Sequence, residues 1–178
     1  MNSIQIYKLM KENPITRDMF VDVYSVDELH GEHPKGKGLI TNSSRTHEAG
    51  EHWWAIYNDG KSDYNEFFCS YALSYPDELS MYLGPNVITN TQRIQSFISS
   101  VCGQYCMFFL YKRAAGFSYN DIINCFDEEN HLLNDLLVNR EIEDIFGGNV
   151  DVFYPPHLQR VLSVTFNEFM ERNKCFPP

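Results

Sequence analysis

Residues 102–116 read CGQYCMFFLYKRAAG, and they decide the fold. Apolar side chains fall on nearly every face of a helix here, and Gly116 supplies a C-terminal cap. A helix with no polar face is buried in the middle of a domain, so the rest of the chain has to pack around it. The spacing therefore predicts a central helix that begins at Cys102. A thiol at that position sits beside the unpaired N–H groups and the positive end of the helix dipole. Such surroundings favour the thiolate, the reactive form. Gly103 leaves the backbone open to close approach by a substrate. A buried cysteine is also an ordinary core residue, and Cys102 taken alone reads as one. Cys106, one turn further on, reads as core.

Upstream, Ile4, Leu9 and Met10 follow a loose helical period that ends at Asn13-Pro14. Thr16 caps a short turn running into Phe20, and Ser25 caps a brief helix. GLITNSS (38–44), HWWAIYND (52–59) and YNEFFCSYA (64–72) read as strands, the last two joined across Asp59-Gly60-Lys61-Ser62, a hairpin signal. YPDELSMYL (75–83) is helix-like and stops at Gly84-Pro85, and NVITNT (86–91) is short and extended. Ser118 caps YNDIINCF, a further helical segment follows over 128–146, and the period at 157–172 predicts a last, bracing helix. The expected architecture is α+β: a small central mixed sheet packed on a buried helix with flanking helices, in one domain spanning 1–178.

The formal charge is -10, which disfavours polyanion partners, because phosphate contacts rest on clustered Lys and Arg. The five cysteines form an odd set without a CxxC pair, and the expectation is free thiols in a reducing intracellular compartment, cytoplasm or nucleus, with the virion as a further setting. No signal-peptide order and no apolar run of roughly 18 residues is present, so no membrane partner is expected. His30, His33, His47 and His52 lack cysteines at ligand spacing, and no metal or cofactor is expected.

A base for Cys102 is available in His52, at the first position of the aromatic strand, where a side chain reaches over a sheet edge. Alternation places His52 and Trp54 on one face and Trp53 on the other. Both tryptophans read as core or as cleft wall. Gln95, seven residues before Cys102, carries an amide able to donate to a developing oxyanion.

The order His52-Trp53, Gln95, then Cys102-Gly103-x-Tyr105-Cys106, with EFFCSYALSYPDEL between, resembles the adenovirus-type cysteine endopeptidases, in particular versions carried by Maverick/Polinton elements. The resemblance covers roughly residues 16–140. It implies the adenain and SUMO-protease fold, distantly papain-like, and the activity of a cysteine endopeptidase acting on capsid or polyprotein precursors. It assigns Cys102 as nucleophile, His52 as base, and Gln95 with the Cys102 N–H as oxyanion donors, with Trp53, Trp54 and Gly103 around the cleft. A monomer is expected, and the acidic charge speaks against the DNA activation known in adenoviral relatives. The same order of residues serves SUMO- and ubiquitin-type deconjugating enzymes, which stay open as an alternative.

One position departs from the pattern. The family places an Asp or Glu at the end of the strand after the histidine strand, where it orients the imidazole; that position is Cys69 here. Glu66 has the wrong parity, Asp63 lies roughly 20 Å back along a strand, and Asp77 or Glu78 would have to return through a loop. A working Cys–His dyad, a weak or inactive relative kept for binding, and an engineered substitution all fit this departure.

Overall fold

The structure, a computed structural model, describes residues 1–147. The helix predicted for 157–172 lies outside the described residues. Five strands form one mixed sheet in the order β1 (Phe20–Ser25), β2 (Gly38–Asn42), β3 (Trp53–Tyr57), β4 (Asn65–Phe68) and β5 (Val87–Thr89). The outer pairs β1–β2 and β4–β5 are parallel, and the inner pairs are antiparallel. The hairpin predicted between β3 and β4 is one of the two inner antiparallel pairs.

Alternation along the strands divides the apolar residues between two cores. Ile40, Ala55, Tyr57 and Phe68 face the larger core, shared with α1 (Ser3–Glu12), α3 (Cys102–Ala114), α4 (Tyr119–Ile123) and α5 (His131–Phe146). Leu39, Trp54, Ile56, Phe67 and Cys69 face a smaller core, closed by the connections that carry Val26, Leu29 and α2 (Ser80–Leu83).

Helix α3 begins at Cys102 and is buried along almost its whole length, as its all-round apolar pattern requires. It lies chiefly against β3 and α5, and Phe109 stacks on Phe68 with ring centroids 4.6 Å apart. Each such fully buried side chain contributes about 1.5–3 kcal/mol relative to exposure. Cys106 is completely buried in this core. The expected fold class, α+β with a mixed sheet on a buried helix, is the observed one.

Two elements differ from the sequence expectation. The strand read over 64–72 ends at Phe68. The side chain of Asn90 accepts from the Cys69 N–H (3.1 Å) and donates to the Cys69 carbonyl (2.7 Å), replacing a strand partner there. The chain then turns, with Ala72 N–H donating to the Cys69 carbonyl. Strand β1 was hidden in MFVDVYSVDEL, because only its first residue is fully buried and no clean alternation results.

Candidate active site

The candidate site lies where the N-terminus of α3 meets the start of β3, the central strand of the sheet. No side chain caps α3: its N-cap is Val101, so the N–H groups of its first turn remain available as donors. Gly103 brings the first turn of α3 against Trp53 at the start of β3. Burial pushes the Cys102 thiol up from its ordinary pKa.

His52 immediately precedes β3. Its Nε2 lies 3.3 Å from Cys69 Sγ, and its Nδ1 is buried without a hydrogen-bond partner. Burial depresses the imidazole to about 4. At neutral pH Cys102 is therefore a neutral thiol and His52 a neutral imidazole. The imidazole stacks on Tyr71 (4.9 Å) and meets Trp54 edge-on (6.1 Å). Tyr71 in turn stacks on Phe97 (5.7 Å), and Arg93 lies over Phe97 at 4.0 Å. A column of rings thus covers the histidine from outside, and Cys102 and His52 are only 8% and 9% exposed.

The position of the expected acid belongs to Cys69, and it is Cys69 that touches His52. The carboxylates weighed as substitutes are engaged elsewhere or turned to solvent. Glu66 stands opposite Tyr57 in the sheet and is held by Arg113. Asp63 pairs with Lys35, Glu78 pairs with Arg45, and Asp77 is exposed.

Gln95 is fully buried, and its amide is spent within the fold. Its Oε1 accepts from Ser70 Oγ (2.6 Å), and its Nε2 donates to the Ser99 carbonyl and hydroxyl (3.1 and 3.2 Å). Ile94 and Gln95 also donate their backbone N–H groups to the Ser70 carbonyl. The turn after Cys69 and the loop before Cys102 are therefore one hydrogen-bonded unit. Asp135 of α5 braces it, accepting from Ser96 N–H (3.3 Å) and Tyr105 Oη (3.0 Å). Burial pushes this carboxyl up to about 6.

Of the residues expected around the cleft, Trp53 borders a polar cleft of about 420 Å³, walled also by Tyr24, Asn42, Arg45 and Glu48. Trp54 lies instead in the smaller core. Gly103 is buried against Trp53 and Ile6: a Cβ there would stand 3.3 Å from each, so its small size serves packing of the tryptophan on the helix. Sequence reasoning missed Tyr71, Asn90, Ser99 and Asp135. Tyr71 lay inside the stretch quoted for the resemblance, but nothing in its type marks it as the ring that stacks on a histidine. Cys69, Cys102 and Cys106 are free, as expected. Cys125 departs from that expectation, being disulfide-bonded.

Among the described residues, no helix is long and apolar enough to cross a membrane. Among solved structures, the fold is similar to that of the ASFV pS273R protease, with a TM-score of 0.51 and 17% identity over 75% of this chain and 65% of that one. A selenomethionine crystal structure of the same protease gives a TM-score of 0.45 and 20% identity over 64% and 44%. The chain thus spans less than two thirds of the length of either. At these identities the likeness is one of fold. No family model and no curated protein matches the chain.

Proposed function

We propose that the chain is a cysteine peptidase that hydrolyses peptide bonds in protein substrates, with Cys102 as nucleophile and His52 as base. The observation that carries this reading is the pairing of His52 with Cys69 at the start of β3. A buried imidazole uses Nε2 on Cys69 and leaves Nδ1 without a partner, one residue from Trp53, against which the first turn of α3 packs through Gly103. In this reading His52 Nδ1 takes the Cys102 proton as sulfur attacks the substrate carbonyl carbon. The oxyanion forms beside the uncapped first turn of α3, where the Cys102 N–H donates. The leaving amine takes the proton from His52, and water activated by the same imidazole hydrolyses the thioester.

Gln95 enters as the second oxyanion donor only if Ser99 gives up its hold on the amide, so substrate binding has to shift segment 96–100. Trp53 and the polar cleft beside it receive part of the substrate. The finer reading, an adenovirus-type or Maverick/Polinton-type peptidase acting on capsid or polyprotein precursors, rests on the motif order over residues 16–140. A second reading, a binding module with the same fold, is favoured by Cys69 in place of an acid and by the near-complete burial of Cys102 and His52.

Cleavage of a denatured-protein substrate or a mixed peptide library, read by mass spectrometry, separates the two. Wild-type protein is expected to cleave and Cys102→Ala to give none above background. Cleavage that survives in Cys102→Ala sinks the peptidase assignment, and no cleavage in wild type, with or without Cys69→Asp, leaves the binding module.

A further inference from the structure

The two ends of the Gln95 amide meet different surroundings. Its Oε1 accepts from the hydroxyl of Ser70 at 2.6 Å, and Ser70 is fully buried. Its Nε2 donates to the carbonyl and hydroxyl of Ser99 (3.1 and 3.2 Å). Phe97 and Ile98, just before Ser99 in the chain, are 74% and 80% exposed. One partner is therefore locked in the interior, and the other belongs to a surface segment.

The chemistry of the partners fixes which end is which. A backbone carbonyl only accepts, so the atom facing the Ser99 carbonyl is the amide nitrogen. Oε1 then faces Ser70, and the hydroxyl has to donate to it. Among the described residues, Oε1 is the one hydrogen-bond partner of Ser70 Oγ. The terminal torsion of a glutamine is broad and roughly two-fold, so nothing intrinsic stops the amide from turning over once Ser99 lets go. Turning over would put nitrogen against Ser70 and strand the buried hydroxyl proton without an acceptor, which the interior penalises. It would also aim an acceptor at the place where a negative oxygen forms.

The backbone around this amide is held independently of the hydroxyl. The Ser70 carbonyl accepts the N–H groups of Ile94 (3.0 Å) and Gln95 (3.1 Å). Tyr105 Oη and Asn134 Nδ2 donate to the Ile94 carbonyl (3.1 and 3.0 Å), and Asp135 accepts the Ser96 N–H (3.3 Å). Removing the Ser70 hydroxyl thus frees the amide and leaves the loop that carries it in place.

We propose that Ser70 is a positioning residue that acts through Gln95: its hydroxyl holds Oε1, so that Nε2 stays the outward donor when Ser99 withdraws and a substrate carbonyl takes its place. The effect on catalysis rests on the peptidase reading above; the hold on the amide does not.

The test pairs kinetics with the side-chain amide resonances of Gln95, in wild type, Ser70→Ala, Ser70→Cys, Gln95→Ala and the double variant of Ser70→Ala with Gln95→Ala. On a peptide that the wild type cleaves, Ser70→Ala is expected to lower kcat at least about tenfold and leave KM within about twofold, because the interaction lost is one made in the transition state. Removing an oxyanion donor outright costs about 10²–10³ in kcat, which sets the upper bound. Ser70→Cys, of nearly the same size but with a weakly donating S–H, is expected to fall between wild type and Ser70→Ala. In the Gln95→Ala background, Ser70→Ala is expected to cost less than about twofold, since the two residues act as one unit. Hydrogen exchange of the Gln95 side-chain NH₂, read by ¹⁵N NMR, is expected to be at least about fivefold faster in Ser70→Ala than in wild type.

A loss of equal size with and without Gln95, or one carried by KM alone, marks a merely structural role and overturns the proposal. Should Ser70→Ala not fold, wild-type kcat in Ser70→Cys overturns it equally. A wild type that cleaves, matched in kcat by Ser70→Ala, keeps the peptidase reading and sinks the role of Ser70. If wild type cleaves nothing, the peptidase reading falls and amide exchange decides. Faster exchange in Ser70→Ala, or in Ser70→Cys where the alanine variant does not fold, keeps the hold of Ser70 on Gln95, and unchanged exchange overturns it.

Discussion

Replacing His52 by alanine is expected to lower kcat for peptide cleavage by a factor on the order of 10⁴ or more, close to the loss caused by removing the nucleophile itself. The reason lies in the resting state. Burial pushes the Cys102 thiol up and holds His52 near 4, so at neutral pH no thiolate stands ready. In the proposed mechanism sulfur becomes nucleophilic only as its proton moves to the imidazole, so His52→Ala removes the base that takes it. The acid limb of the wild-type rate profile is accordingly expected near pH 4, where His52 loses its proton, rather than near 6.5. Stability carries the same signature. The folded pKa lies below the unfolded value of 6.5, so between about pH 4 and 6.5 the unfolded chain binds more protons. Stability therefore falls as pH drops through that window, and His52→Ala is expected to lose this part of the fall. Urea unfolding at pH 7 and pH 4.5, for both proteins, measures it; equal pH dependence would contradict the burial of a neutral histidine.

Arg113→Met is expected to destabilise the fold by about 3–5 kcal/mol at neutral pH, because it strips the partner from a buried carboxylate. Arg113 Nε and Nη2 bind the two oxygens of Glu66 at 2.8 and 2.9 Å, with side chains 10% and 2% exposed. The guanidinium also lies over Tyr57 (4.7 Å) and donates to the Phe117 carbonyl. It thereby ties the end of α3 to β3, β4 and the segment before α4. Even so, burial pushes Glu66 up to about 7. The loss is thus expected to be smaller at pH 5, where Glu66 is neutral, than at pH 8. Arg113→Met combined with Glu66→Leu should recover most of it, since an apolar pair of similar volume replaces a buried ion pair at little cost. Thermal unfolding reads the difference, at about 2–4 °C per kcal/mol for a chain of this size. A single variant within 1 kcal/mol of wild type would contradict this account.

The central helix was legible because fifteen residues without a polar face leave a helix only one place to go. The β3–β4 hairpin was legible from its turn, and the opposite faces of Trp53 and Trp54 from simple alternation. The end of β4 was not. It depends on the Asn90 side chain, 21 residues away, taking both backbone groups of Cys69. The chemistry around Cys69 was hidden for a related reason: a left-handed Ala72 has no signature in residue type, unlike a glycine at the same place. Sequence singled out position 69 through resemblance, and the fold brings its sulfur within 3.3 Å of His52 Nε2. Gln95 illustrates the opposite limit. Its spacing before Cys102 is clear in the chain, yet only the fold reveals that Ser70 and Ser99 occupy its amide.

The most direct measurement is competitive alkylation of the native protein with a peptide-based electrophile such as an acyloxymethyl ketone, with the modified residue identified by mass spectrometry. A mechanism-directed reagent reacts fast only where a base, a nucleophile and oxyanion donors converge. The account predicts modification at Cys102 at least a hundredfold faster than at Cys69 or Cys106, and loss of that preference in His52→Ala. Equal slow labelling of all three thiols, or a Cys102 rate indifferent to His52, would contradict it.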